Sequence, residues 1–174
     1  MSQPMNQPMS QYSVTHADFT ITRVYDAAPA RVYAAFADAE AKRRWFYCHP
    51  EWQVEHDLDF RPGGRETVRT GPGVGNDGGS TGSGGTVHLC EALYHDTVPG
   101  QRIVWSYAMH LDARRISVSL VTVQFEAEGH GRTRLTFTEQ GAYLDGWTDV
   151  AGREEGTRIG LDNLAQDLRR QQAA

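Results

Sequence analysis

"GREEGTRIGLDNLAQDLRRQQ", residues 152–172, decides the architecture. Leu161, Leu164 and Leu168 recur at three- and four-residue spacing, with Thr157 one turn earlier, so one stripe of an amphipathic helix is apolar. The first half of this helix is unusual. Gly152, Gly156 and Gly160 fall four apart and share a side, although a glycine in a helix interior costs up to about 1 kcal/mol relative to alanine. Something must offset that cost, either a close backbone approach or open space beside the helix.

Upstream of the helix the chain is mostly strands. "DFTITRVYDA" (18–27) alternates and reads as the first. Pro29 suits the first turn of a short helix over 29–37, and Asp38 can cap a second through about Trp45. Residues 52–61 alternate again, with Val54, His56, Leu58 and Phe60 on one face. Further strands are expected at 64–70, 86–94, 102–109, 116–127 and 132–140, for seven in all. Turn-sized gaps with Gly, Pro or Asp favour an antiparallel meander. The apolar face of such a sheet must be covered, and the helix at 152–172 is the only element long enough. The expected fold is α+β: a seven-stranded curved antiparallel sheet wrapped around a long C-terminal helix, with two short helices after the first strand.

"DFRPGGR" (59–65) tests this order, because a Gly-rich corner between two arginines can also cradle phosphate. A phosphate cradle places its glycines at a helix N-terminus, and a strand follows here. Pro62 and Gly63 at the two central positions fit a type II turn, with Arg61 and Arg65 facing solvent at strand ends. The Gly-rich stretch 71–85 contains a formal GxGxxG at 73–78, but it too leads into a strand. It is expected to be a flexible loop.

Composition narrows the function classes. The 174 residues fit one domain, with 1–16 as a disordered, Pro-containing tail, 17–174 as the folded unit and no apolar leader in the tail. Seventeen basic residues against 22 acidic ones give a net charge of -5, which disfavours nucleic acid as a partner. Lys42-Arg43-Arg44 reads as a solvated helix face. No apolar run reaches the roughly 18 residues needed to span a membrane, and a cytoplasmic location is expected. Cys48 and Cys90 form no CxxC and are expected as reduced, small apolar residues. His88 and Cys90 share a strand face, but two ligands do not make a metal site, and neither metal nor cofactor is expected.

Several stretches together resemble the family of activator of heat-shock-protein-90 ATPase homologues, within the START/SRPBCC (birch-allergen-like, polyketide cyclase-like) superfamily. They are "TRVYDAAPARVYAAF" (22–36), the Trp45-Phe46 pair, "RPGG" (61–64), "PGQRIVWSY" (99–107) and "GLDNLAQDL" (160–168). The resemblance covers about residues 18–170. It implies a helix-grip fold with a cavity between sheet and helix.

Alternation assigns the concave wall: His56, Leu58 and Phe60; Ile103, Trp105 and Tyr107; Val121 and Val123; Leu135, Phe137 and Glu139; and from the helix Gly156, Gly160 and Leu164. Such a mostly apolar wall with a few polar tips suits a small hydrophobic or aromatic ligand: a lipid, a flavonoid-like or a polyketide-like compound. Non-catalytic binding or transport is the leading expectation. His56 and Glu139 would be the general base and acid of the alternative, a polyketide cyclase- or lyase-type enzyme, with Glu139 read as near a strand end. The third reading, implied by the resemblance, is an interaction module that stimulates a chaperone ATPase.

Overall fold

The computed structural model describes residues 12–47, 52–71 and 85–173. The elements are β1 (Val14–Tyr25), α1 (Pro29–Ala37), α2 (Ala39–Trp45), β2 (Gln53–Leu58), β3 (Arg65–Gly71), β4 (His88–Val98), β5 (Arg102–Leu111), β6 (Arg114–Ala127), β7 (Thr133–Leu144) and α3 (Val150–Gln172). They form the expected α+β helix-grip arrangement. β1 starts at Val14 because its backbone pairs with the end of β7, Val14 opposite Leu144. The last residues of the stretch read as tail are therefore strand. Most of the Gly-rich stretch 71–85, with its GxGxxG, lies outside the described residues, as do Cys48 and His49.

The seven strands form one sheet in the order β1-β7-β6-β5-β4-β3-β2, with every neighbouring pair antiparallel. From β2 to β7 it is a plain meander. The "RPGG" corner is a type II turn: Gly64 N–H donates to Arg61 O at 2.8 Å and Gly63 sits at φ +79°. A Cβ at Gly64 would stand 2.0 Å from Asp59 O, so only glycine fits. The turn is also bonded to β4. Gly63 N–H donates to Tyr94 O at 2.8 Å, and Tyr94 N–H to Gly64 O at 2.9 Å. Arg61 is exposed and pairs with Asp59, and Arg65 is exposed.

Asp38 caps α2 as expected, and Asp149 caps α3, which starts two residues before the stretch read from sequence. Asp38 accepts from Ala41 N–H at 2.7 Å at the start of α2, and Asp149 accepts from Gly152 N–H at 2.9 Å at the start of α3. The C-terminal half of α3 is pinned against the sheet and short helices. Leu161, Leu164 and Leu168 are buried with Ile21, Val123, Leu135 and α1's Val32 and Phe36 in one core. Tyr25 Oη donates to Leu161 O at 2.9 Å, and Arg31 Nη2 to Leu168 O at 2.9 Å. The helix glycines serve different ends. A Cβ at Gly160 would meet the Phe46 ring at 2.7 Å, whereas one at Gly156 would meet nothing within 4 Å. Close packing and open space are thus both present, one turn apart.

Candidate functional site

The open space beside Gly156 belongs to a cavity of about 450 Å³ between the sheet, the end of α2 and the first half of α3. That volume lies within the range of small-molecule sites, roughly 300–1,000 Å³. Its walls are largely aromatic. All four tryptophans of the chain, Trp45, Trp52, Trp105 and Trp147, border it, with Phe46, Tyr47, Tyr107 and Phe137.

Register explains which inward residues reach it. Tyr94, Trp105, Val121, Glu139 and Phe19 stand opposite one another across five strands. Trp105, Val121 and Glu139 from this line, with Tyr107, Phe137 and Gly156, line the cavity. Other residues assigned to the wall by alternation do point inward but lie elsewhere. Ile103, Val123, Leu135 and Leu164 are fully buried in the core where α3 and α1 fill the sheet. Phe60 packs edge-on against Tyr33 and Tyr94, Leu58 lies against the core, and Gly160 is closed off by Phe46. His56 is behind the wall, its side chain fully buried.

Two buried polar networks face the space. The first centres on Glu66 of β3, only 2% exposed. Glu66 Oε2 accepts from Lys42 Nζ at 2.6 Å and from Tyr94 Oη at 2.7 Å. Its Oε1 meets His56 Nε2 at 2.8 Å and accepts from Tyr47 Oη at 3.4 Å. Lys42 Nζ also lies 5.5 Å from the Trp105 ring centroid. Lys42 is only 3% exposed, which corrects its reading as part of a solvated face. Arg43 and Arg44 point outward, while the helical period turns Lys42 toward the sheet. Burial alone would push the Glu66 carboxyl up. The charge of Lys42 and the hydrogen bonds from His56, Lys42 and Tyr94 outweigh it and hold the group at about 2. Burial, then the Glu66 charge, drive the Tyr94 phenol far above its ordinary range.

The second network centres on Glu139. It is 2% exposed and in the middle of β7, because that strand continues to Leu144 between β1 and β6. The expectation of a strand-end position is thereby corrected. Glu139 Oε1 accepts from Tyr107 Oη at 2.7 Å, from Ser119 Oγ at 2.8 Å and from Arg153 Nη1 at 3.2 Å. Arg153 Nη1 also donates to Tyr107 Oη at 2.5 Å, and Nη2 to Ser117 Oγ at 3.0 Å. Burial and the Glu139 charge push the Tyr107 phenol well up, against the opposing pull of Arg153. Burial would lower the Arg153 guanidinium, but Tyr107 and Glu139 more than offset it.

The structure therefore joins Tyr107 to Glu139 and assigns His56 to a different carboxylate. His56 and Glu139 do not form an acid–base pair: His56 Nε2 meets Glu66, while Glu139 accepts from Tyr107, Ser119 and Arg153. Sequence reasoning missed Lys42, Glu66 and Arg153. Two signals were available: Glu66 alternates with Val68 and Thr70 on the buried face of β3, and Arg153 precedes Thr157, Gly160 and Leu164 at helical spacing. Cys90 is on the cavity wall, where burial, then the nearby Glu66, push its thiol up to about 12. Among the described residues, no group of three or more His, Cys, Asp or Glu is placed to hold a metal ion, and no helix is long and apolar enough to cross a membrane.

The family model described as Activator of Hsp90 ATPase homolog 1-like protein matches residues 26–169. The chain belongs to that family. Solved relatives agree in fold and length. A Rhizobium leguminosarum protein is 46% identical, with a TM-score of 0.80 over 91% of this chain and 98% of its own. Mll3558 of Rhizobium loti is 43% identical, with a TM-score of 0.76 over 89% of this chain and 99% of its own. CalU16 of Micromonospora echinospora shares the fold at 17% identity, with a TM-score of 0.57 over 90% of this chain and 83% of its own. No curated protein matches the chain.

Proposed function

We propose that this family member binds and carries a small hydrophobic or aromatic molecule, of lipid, flavonoid-like or polyketide-like character, without transforming it. The observation that carries the reading is the cavity itself: about 450 Å³, walled by aromatic rings, beside a helix whose Gly156 leaves it open. A helix glycine facing empty space forgoes stability that alanine would supply, and room for a ligand accounts for it. Buried charges that already have partners leave apolar contact as the main source of affinity.

All four tryptophans border the space, so intrinsic fluorescence reports on its occupancy. Titration with apolar aromatic probes should give a saturable change. Gly156→Leu, which projects a side chain into the cavity, should remove that response while thermal unfolding stays cooperative. If no probe produces a saturable signal, or if Gly156→Leu binds as well as the parent, the reading falls.

A catalytic reading of the same cavity rests on Tyr107 and Glu139, joined at 2.7 Å on its wall. Its test is product formation from a polyketide-like substrate, lost in Glu139→Gln. The family's name carries a third reading, which the rate of a purified chaperone ATPase with and without this protein would test.

A further inference from the structure

The two carboxylates on the cavity wall are not equivalent. Glu66 has both oxygens engaged, Lys42 and Tyr94 on one and His56 and Tyr47 on the other. Glu139 takes all three of its donors on Oε1, and among the described residues Oε2 receives none. The residue is 2% exposed and lines the cavity, and Oε2 is not one of the fully buried atoms that lack a partner. It is the carboxylate oxygen left accessible, and a ligand's O–H or N–H can donate to it.

The charge of the lining sets the ligand's own charge. Lys42 and Arg153 are its cations, against the carboxylates of Glu66, Glu139 and Asp149. Both cations are already matched, Lys42 to Glu66 at 2.6 Å and Arg153 to Glu139 at 3.2 Å. An anionic ligand would meet surplus negative charge, with no free cation among the described lining residues to receive it. A cationic one at Oε2 would stand beside the Arg153 guanidinium. Desolvation disfavours either without compensation. We propose that the cavity selects neutral aromatic molecules bearing a hydroxyl or N–H donor, which docks on Glu139 Oε2, and that it discriminates against carboxylates. This rests on the carrier reading above and narrows its ligand to phenols and related neutral donors.

Four probes of nearly equal shape separate the possibilities by calorimetric titration at pH 7: 2-naphthol, 2-methoxynaphthalene, 2-naphthoate and 2-naphthylmethylammonium. A hydrogen bond to a charged group corresponds to roughly tenfold or more in affinity, so 2-naphthol should bind at least about tenfold more tightly than the other three. Glu139→Gln removes the acceptor charge and leaves Arg153 unmatched. 2-Naphthol should then weaken and 2-naphthoate strengthen. Arg153→Gln should move the pattern the opposite way, weakening 2-naphthoate further and favouring the ammonium probe, and it reads out independently if Glu139→Gln does not fold. Equal binding of 2-naphthol and 2-methoxynaphthalene overturns this inference and leaves the carrier reading intact, as does tightest binding of either charged probe. Failure of all four to bind overturns both.

Discussion

Replacing Lys42 by methionine isolates the buried network around Glu66. Methionine matches the length of the lysine stem and removes the ammonium, leaving a carboxylate 2% exposed with no cation at 2.6 Å. Breaking a buried pair in this way costs about 3–5 kcal/mol. The donors Tyr94, His56 and Tyr47 remain on the carboxylate, so the low end, about 3 kcal/mol, is expected. Linkage gives a figure of the same size for the carboxylate with all of its partners together. Glu66 is held at about 2 against an ordinary 4.5. Every tenfold weakening of proton binding corresponds to about 1.4 kcal/mol, which makes roughly 3 kcal/mol in all. Because the folded value is the lower one, that contribution is fully present above about pH 4.5 and is lost as pH falls toward 2. Urea unfolding of Lys42→Met at pH 7 should therefore show a loss near 3 kcal/mol. For a chain of this size the same loss lowers Tm by roughly 6–12 °C. The double variant Lys42→Met/Glu66→Gln keeps an acceptor for the tyrosines but removes the stranded charge, and should recover more than half of the loss. A cost below about 1 kcal/mol in the single variant, or no recovery in the double, would refute a pair that neutralises itself inside the wall.

Other expectations follow from single positions. Gly64→Ala should destabilise by about 3 kcal/mol or more in urea melts, because its Cβ would stand 2.0 Å from a backbone oxygen that cannot move alone. Gly156→Ala should raise stability by about 0.5–1 kcal/mol, since nothing lies within 4 Å of the new methyl and helix propensity improves. Gly160→Ala should instead lose about 1–2 kcal/mol as the Phe46 ring is displaced, and the opposite signs one turn apart are the check. Cys90, its thiol pushed up to about 12 by burial, should resist alkylation near pH 8 until denaturant is added. Peptide mapping by mass spectrometry that finds rapid native-state labelling at Cys90 would contradict its placement in the wall.

The fold was legible because its strong signals were local. Period-2 alternation found seven strands and placed Trp105, Tyr107, Val121, Phe137 and Glu139 on the face that borders the cavity. Leu161, Leu164 and Leu168 identified the helix, and Pro62-Gly63 the turn. Pattern alone could not say which inward residues meet a ligand-sized space and which meet another side chain. Ile103 and Trp105 are two apart on one strand and equally inward, yet α3 and α1 cover the first while the second reaches the cavity. Charged residues were the other blind spot. Lys42 looks like a surface residue in its own segment, and only the fold brings its ammonium to Glu66 of β3 and Tyr94 of β4. His56 carried the reverse illusion: a titratable residue on an apolar face suggested chemistry, and its neighbour proved to be a saturated carboxylate.

The place of β1 in the sheet bears on how the chain is made. Every other strand pairs with one adjacent to it in sequence, but among the described residues Val14–Tyr25 pairs with β7 alone, with Tyr25 opposite Thr133. A ribosome adds roughly 5–20 residues per second, so the first strand waits on the order of 5–20 s before its partner exists. The helix that buries Ile21 follows later still. Throughout that interval Phe19, Ile21 and Tyr25 form an apolar strand face with neither ladder nor cover, the kind of segment that pairs with a neighbouring nascent chain. Closure of the sheet thus waits for its last strand, and conditions that slow translation lengthen the exposure of its first strand rather than easing its folding.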